Sequence, residues 1–271
     1  MTALYILLGL AVVVCGGYIL MIRCRKGHPG LEALQGHSYA HRGLHGKGIP
    51  ENSMTAFRLA LEKGYGIELD VHLMKDGTLA VIHDASLLRT AGVDVKIEDL
   101  TLEDLDNYRL EGTEEKIPLF DQVLDLFEGK APMIIELKAH GNAGPLTEAV
   151  CNRLERYSGV FCLESFDPRC IYWLKKNRPQ LIRGQLSEDY SKNPKRHAPA
   201  ALEFLLAHQL ENFLTVPDFV AYRFSDRNLL GVRLVRKIWG AQGVTWTIKS
   251  QEDHDAAVAE GFLPIFEGFE P

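Results

Sequence analysis

No charged residue precedes position 23. That absence leaves Ala3 to Ile22, ALYILLGLAVVVCGGYILMI, as an uninterrupted apolar run, about as long as a helix needs to cross roughly 30 Å of hydrocarbon. A secretory signal carries its positive charge ahead of the apolar stretch, so the missing basic head argues against a cleaved signal peptide. The first charges, Arg23, Arg25 and Lys26, follow immediately. By the positive-inside rule they place the rest of the chain in the cytoplasm. A single-pass membrane anchor is therefore expected. Outside this cluster there is no long Lys/Arg tract, and the formal net charge is −6, which leaves no electrostatic footprint for nucleic acid. A local positive pocket for a small phosphorylated substrate is still compatible with that charge. Paired metal-binding cysteines are also missing. The five cysteines are odd in number and scattered, as reduced structural thiols of a cytoplasmic protein would be, and no zinc site is implied.

What is present is enough for a large core: 271 residues, of which 46% are hydrophobic. Residues 1–26 read as anchor and basic flank, 27–36 as a short linker, and 37–271 as one globular domain. In that domain, strand-like runs such as GIELDVHL, PMIIELKAH and GVTWTIKS alternate with amphipathic stretches, several of which end in glycine, a usual helix stop. Strand–helix alternation of this kind implies parallel strands joined by helical crossovers. The size and count match an α/β fold of the (β/α)8 TIM-barrel type preceded by one transmembrane helix. There are nine strand candidates rather than eight. MKDG, between the second and third, is too short for a parallel crossover, so one of that pair is expected to be a hairpin arm. A doubly wound open sheet is the alternative, although no G-x-G-x-x-G follows the first strand.

Strand periodicity converts the pattern into a map of a pocket. In IELDVHL, Glu68, Asp70 and His72 fall at every second position and share one face. In MIIELKAH, Glu136, Lys138 and His140 do the same. Two strands thus aim carboxylates inward, where an unpaired charge costs several kcal/mol. A divalent cation with hard oxygen ligands, Mg²⁺ or Ca²⁺, would neutralise Glu68, Asp70 and Glu136. The plainer reading is a set of internal salt bridges, for example Glu68 with Arg42 or Lys138. His41 and His83 each end a strand candidate, on the rim where barrel chemistry sits. A pair of imidazoles there can act as base and acid around one bond. His45, His72 and His140 are expected to be structural. Asp84, beside His83, either orients an imidazole or caps a turn.

From about Ser38 the chain resembles the glycerophosphodiester phosphodiesterase family, a metal-dependent TIM-barrel group. The matching motifs, in order, are H-R-G (His41–Gly43), P-E-N-S (Pro50–Ser53), E-L-D-V (Glu68–Val71), K-D-G (Lys75–Gly77), V-I-H-D (Val81–Asp84), I-P-x-F-x-x-V-L-D-L-F (Ile117–Phe127), E-L-K (Glu136–Lys138), S-F (Ser165, Phe166) and W-T (Trp246, Thr247). The resemblance implies His41 and His83 as the acid–base pair and Glu68, Asp70 and Glu136 as holders of the cation. It implies Arg42 and Lys138 facing the phosphate, Glu51 and Asn52 shaping the site, and Trp246 lining the glycerol or leaving-group side. The implied reaction releases glycerol 3-phosphate and an alcohol. Substrates consistent with the anchor are a soluble phosphodiester or, as a lysophospholipase D, a membrane lysolipid. One departure stands out. The family commonly closes with D-G-I-I-T-D-x-P, whereas this chain ends FLPIFEGFEP, with Glu267 in roughly that place. A barrel that no longer turns over and serves as a membrane-bound scaffold is the alternative this suggests. A phosphoinositide-cleaving phospholipase C shares paired histidines but not the E-L-D, E-L-K and K-D-G series.

Overall fold

A computed structural model of the chain describes residues 1–192 and 199–271. In chain order the strands are β1 (Tyr39–His41), β2 (Gly66–Leu73), β3 (Leu79–Val81), β4 (Met133–Leu137), β5 (Phe161–Ser165), β6 (Arg183–Ser187), β7 (Phe219–Arg223), β8 (Gln242–Ile248) and β9 (Phe262–Phe266). All but β3 run parallel, and β1 pairs with both β2 and β9, closing the sheet into an eight-stranded barrel. The open-sheet alternative is thereby excluded. β3 pairs antiparallel with the end of β2, so the short MKDG connection is the hairpin expected of it.

Alternation along each strand divides the two faces. Outward residues such as Ile67, Leu69, Val71, Ile135 and Leu163 pack with Phe57, Phe127 and Leu146 of the surrounding helices in one apolar cluster. Inward residues change character along the strand. Near the strand starts Tyr39, Ile134, Cys162, Phe219 and Leu263 fill the barrel as a second apolar cluster. Two residues further along the same face of β1, β4 and β5 come His41, Glu136 and Glu164, so the polar layer lies at the C-terminal rim. The filling is tight. A Cβ at Gly184 would meet the Phe219 ring at 2.0 Å, so only glycine lets that ring occupy the barrel interior.

Residues 27–36 do not behave as a spacer. Pro29–Leu34 form a helical turn whose Leu34 is fully buried in the inner cluster, and the Tyr39 hydroxyl donates to the Leu34 carbonyl at 2.6 Å. The turn plugs the barrel floor, which would otherwise expose Tyr39 and Ile182. Flanking glycines and a proline make this segment look like a linker, while Leu31 and Leu34 carry its packing. A second difference lies at ALEFLLAHQLENFL, one amphipathic stretch by pattern. It folds as two short helices, Ala200–Ala207 and Asn212–Thr215. The N-terminal helix spans Thr2–Met21, with a mean hydropathy of 2.4, and its apolar window is buried nowhere in the molecule.

Candidate active site

The H-R-G segment leaves β1 through a sharp turn. Arg42 (φ 55°) and Asn52 (φ 51°) both adopt left-handed backbone, a conformation that a bulky side chain such as arginine adopts only when its surroundings impose it. Here the Asn52 amide donates to the Arg42 carbonyl at 2.9 Å, and the Arg42 amide donates to Glu68 Oε2 at 3.2 Å. The turn folds the Pro-Glu-Asn loop over the end of β2. Asn52 Nδ2 donates to Asp70 Oδ2 at 2.8 Å. Glu51 accepts from Arg42 Nη1 at 2.9 Å and from both terminal nitrogens of Arg89 at 2.6 and 2.9 Å.

Glu68, Asp70 and Glu136 come together as expected. All three are buried, and each offers an oxygen within 4.8 Å of the others'. Register explains the meeting, because Asp70 pairs directly with Glu136 across β2 and β4. Glu164 on β5 pairs with Glu136 in turn and completes the buried layer. Four carboxylates therefore share the barrel top with two buried cations, Arg42 and Lys138. Lys138 Nζ lies 3.0 Å from Asp70 Oδ1 and 2.8 Å from Glu136 Oε1. Burial would raise the Asp70 carboxyl, but Lys138, His83 and Arg42 outweigh it and hold it well below the usual range. Glu68, Glu136 and Glu164 are pushed up by burial first and then by neighbouring carboxylates, Asp70 acting on all three. Such upward shifts signal a missing positive charge. A dication fits: the donors are all hard oxygens, and the surplus of carboxylates over cations equals its charge. Glu68 and Glu136 face the cleft directly.

The two histidines flank this cluster, each tethered through Nδ1. His41 Nδ1 lies 2.7 Å from Glu267 Oε2, and His83 Nδ1 lies 2.7 Å from Asp84 Oδ1. A carboxylate on Nδ1 accepts that ring proton and turns Nε2 toward the cleft; His41 Nε2 is 3.9 Å from Glu68 Oε2. Burial lowers the His41 pKa against the upward pull of Glu267, so this imidazole rests neutral at pH 7 with its Nε2 lone pair free. Glu267 is held down at about 2, chiefly by its hydrogen bond from His41. Asp84 is likewise kept ionised by His83 and by Arg89, whose Nε donates to it at 2.5 Å.

The cleft between them holds about 100 Å³, room for a small polar headgroup rather than a large ligand. Its wall includes Trp246, which meets Phe166 edge-to-face at 5.8 Å, with the Arg223 guanidinium 5.7 Å from the Trp246 ring. Arg42 borders the cleft, whereas the Lys138 ammonium is engaged by Asp70 and Glu136. Glu164, Arg89 and the contact of Glu267 with His41 were not anticipated. Glu164 could have been found by extending the every-second-residue rule from Glu136 to its partner strand. His72 is buried, with Nδ1 2.7 Å from Glu98 and Nε2 donating to the His83 carbonyl at 3.2 Å. His140 stacks on it at 5.4 Å.

A family model described as "Glycerophosphoryl diester phosphodiesterase family" matches residues 41–266, nearly the whole barrel. The chain belongs to that family. A glycerophosphodiester phosphodiesterase of Caldanaerobacter subterraneus is 30% identical over 82% of this chain and 89% of its own length. A lysophospholipase D of Rattus norvegicus, GDPD1, is 31% identical over 52% of this chain, and the match spans half of that relative's length. Among solved structures, an Oleispira antarctica phosphodiesterase in complex with the product sn-glycerol-3-phosphate shares the fold. Its TM-score is 0.70 at 22% identity, covering 85% of this chain and 92% of that one. This phosphodiesterase family member therefore has the barrel of its relatives, with its own C-terminal segment bringing Glu267 to His41.

Proposed function

We propose that the chain hydrolyses glycerophosphodiesters to glycerol 3-phosphate and an alcohol, using a divalent cation and the pair His41 and His83. The observation that carries this reading is the convergence of two carboxylate-tethered imidazoles and a buried three-carboxylate cluster on one strand-end rim. The family match supports it, as does the product bound to the Oleispira structure.

Glu68, Asp70 and Glu136 would hold the cation, Mg²⁺ or Ca²⁺, which when bound supplies Lewis-acid polarisation of a phosphoryl oxygen and offsets charge there. Arg42, at the cleft wall, grips the anionic phosphodiester and stabilises charge growing on its oxygens. Lys138 offsets the carboxylates and keeps Asp70 and Glu136 in place. One imidazole takes the proton of the attacking hydroxyl, either water or a neighbouring glycerol hydroxyl, and in the second case a water then opens the resulting cyclic phosphate to give glycerol 3-phosphate. A phosphorus–oxygen bond forms, the bond to the headgroup alcohol breaks, and the other imidazole protonates the departing oxygen. Neutral His41, with Nε2 free, suits the base role. Glu51 and Asn52 hold Arg42 and Asp70 in position, and Trp246 provides an apolar wall for the glycerol or leaving group. The intact histidines and carboxylates speak against an inactive scaffold.

The N-terminal helix, residues 1–26 with the basic flank, anchors the chain in a membrane as a single pass, with the barrel on the cytoplasmic side according to Arg23, Arg25 and Lys26. That placement, together with the GDPD1 relative, favours lysolipids as a second substrate class. The test is glycerol 3-phosphate release across a headgroup panel with Mg²⁺, Ca²⁺ or Mn²⁺. EDTA should abolish release, and His41→Ala should lower kcat by at least ~10²-fold. Release that persists in EDTA would remove the cation from the reading, and a near-wild-type His41→Ala would remove the base.

A further inference from the structure

The N-terminal helix does not leave the barrel from its floor. Trp239 Nε1 donates to the Ile19 carbonyl at 3.1 Å, and Trp239 lies three residues before β8, at the floor end of the helical segment that follows β7. Leu229 and Leu230 open that same segment on the catalytic rim. They share an apolar groove of about 530 Å³ with Val14 and Cys15 of the N-terminal helix. Followed toward its N-terminus, the helix therefore climbs from floor to catalytic rim, and Thr2–Val13, about 18 Å of helix, project beyond that rim.

Eighteen ångströms do not span roughly 30 Å of hydrocarbon. The remaining turns run alongside the barrel yet stay largely exposed, Val14 at 62% and Leu20 at 63%, so covering them requires the flank next to them to enter the interface as well. Among the described residues that flank is apolar. Leu202, Phe204, Leu205 and Leu230 are 39–64% exposed, on the first short helix after β6 and the helix start after β7, and Phe213 and Leu214 continue the patch down the flank toward the floor. Ala207, His208 and Leu230 line the groove against the N-terminal helix, and Asn212–Thr215 packs on that helix, so patch and anchor form one surface. A contiguous apolar patch running into an uncharged 20-residue helix marks a membrane-facing side.

We propose that this patch docks the barrel on the bilayer with its catalytic rim toward the lipid, so that the cleft receives phosphodiester headgroups from the membrane surface. The occupant of the patch is the lipid interface. The substrate consequence rests on the diesterase reading above, whereas the docking itself does not.

The test uses the full chain in phosphatidylcholine vesicles, in a Cys15→Ser background whose other four cysteines are buried. An environment-sensitive fluorophore is attached at Phe204→Cys or, separately, Leu230→Cys. Lys130→Cys, just before β4 on the floor side, is the reference. Spin-labelled lipid should quench the Phe204 and Leu230 positions by at least about twofold and leave Lys130 untouched, while aqueous iodide should do the reverse. Equal iodide access at all three positions would overturn the docking, as would failure of the chain to float with vesicles. Protection that grows with protein density would assign the patch to a second copy and also overturn it. Glycerol 3-phosphate release from soluble glycerophosphocholine by the same variants should stay within about twofold of wild type. Its absence in the wild type would sink the diesterase reading and leave the docking result standing.

Discussion

Glu267 offers the sharpest test of how the site works. It lies one residue past β9, its amide donates to the Ile248 carbonyl at 2.9 Å, and its carboxylate accepts a hydrogen bond from His41 Nδ1. Glu267→Gln keeps the shape and an accepting carbonyl but removes the charge. A charge-assisted hydrogen bond is worth about 1.5–3 kcal/mol. The Glu267 side chain is 25% exposed, so solvent screening brings the expected loss to about 1.4–2.3 kcal/mol. If that energy holds His41 in its reactive orientation, kcat should fall ~10- to 50-fold with KM changed by less than about twofold. The pH profile gives an independent reading. Glu267 pulls the His41 pKa upward, so its neutralisation should move the acid limb of kcat/KM to lower pH. Steady-state rates of glycerol 3-phosphate release from pH 5 to 8 measure both quantities. A kcat within about twofold of wild type, or a loss borne wholly by KM, would refute the orienting role.

Three other outcomes follow from the same geometry. Glu68→Gln should weaken cation affinity, read by titrating activity back with Mg²⁺ or Ca²⁺ after EDTA, and lower turnover at least ~10²-fold at fixed cation. Glu211 is buried, its oxygens have no partner among the described residues, and burial pushes its pKa up to about 8. The folded chain thus keeps a proton that the unfolded chain releases above about 4.5, so this group makes stability decline from about pH 4.5 to 8. Glu211→Gln should flatten that decline and stabilise by roughly 2–4 kcal/mol at pH 8 in chemical denaturation. Leu34→Ala should destabilise by about 2–4 kcal/mol if Pro29–Leu34 is the floor of the barrel, and by almost nothing if it is a spacer.

The carboxylate layer was legible because strand geometry has a period of two. Glu68 and Asp70, like Glu136 and Lys138, could be assigned to one face without knowing which strands were neighbours. Adjacency itself was not legible, which is why Glu164 escaped notice. Its strand reads FCLES, where Cys162 and Ser165 blur the contrast between faces, and only the register against Glu136 shows that it joins the cluster. Glu267 was visible as a departure but not as a partner of His41, because that contact closes the ring between the last strand and the first, 226 residues apart. The floor plug was concealed for the opposite reason. Gly27, Pro29, Gly30 and Gly36 set the composition of the segment, while its energetics lie in two leucines. The anchor was legible as a length of apolar chain, but its direction was not. Direction depends on the Trp239 indole meeting the Ile19 carbonyl and on Cys15 and Leu230 lining one groove, relations between the first twenty residues and the last third of the chain. On the docking proposed above, that course along the barrel wall is what turns the cleft toward lipid. A barrel with the same catalytic residues, anchored by its floor, would meet only soluble diesters. On that proposed docking, substrate class would be set by the course of the apolar helix along the barrel wall, with the chemistry at His41 and His83 common to soluble and lipid diesters.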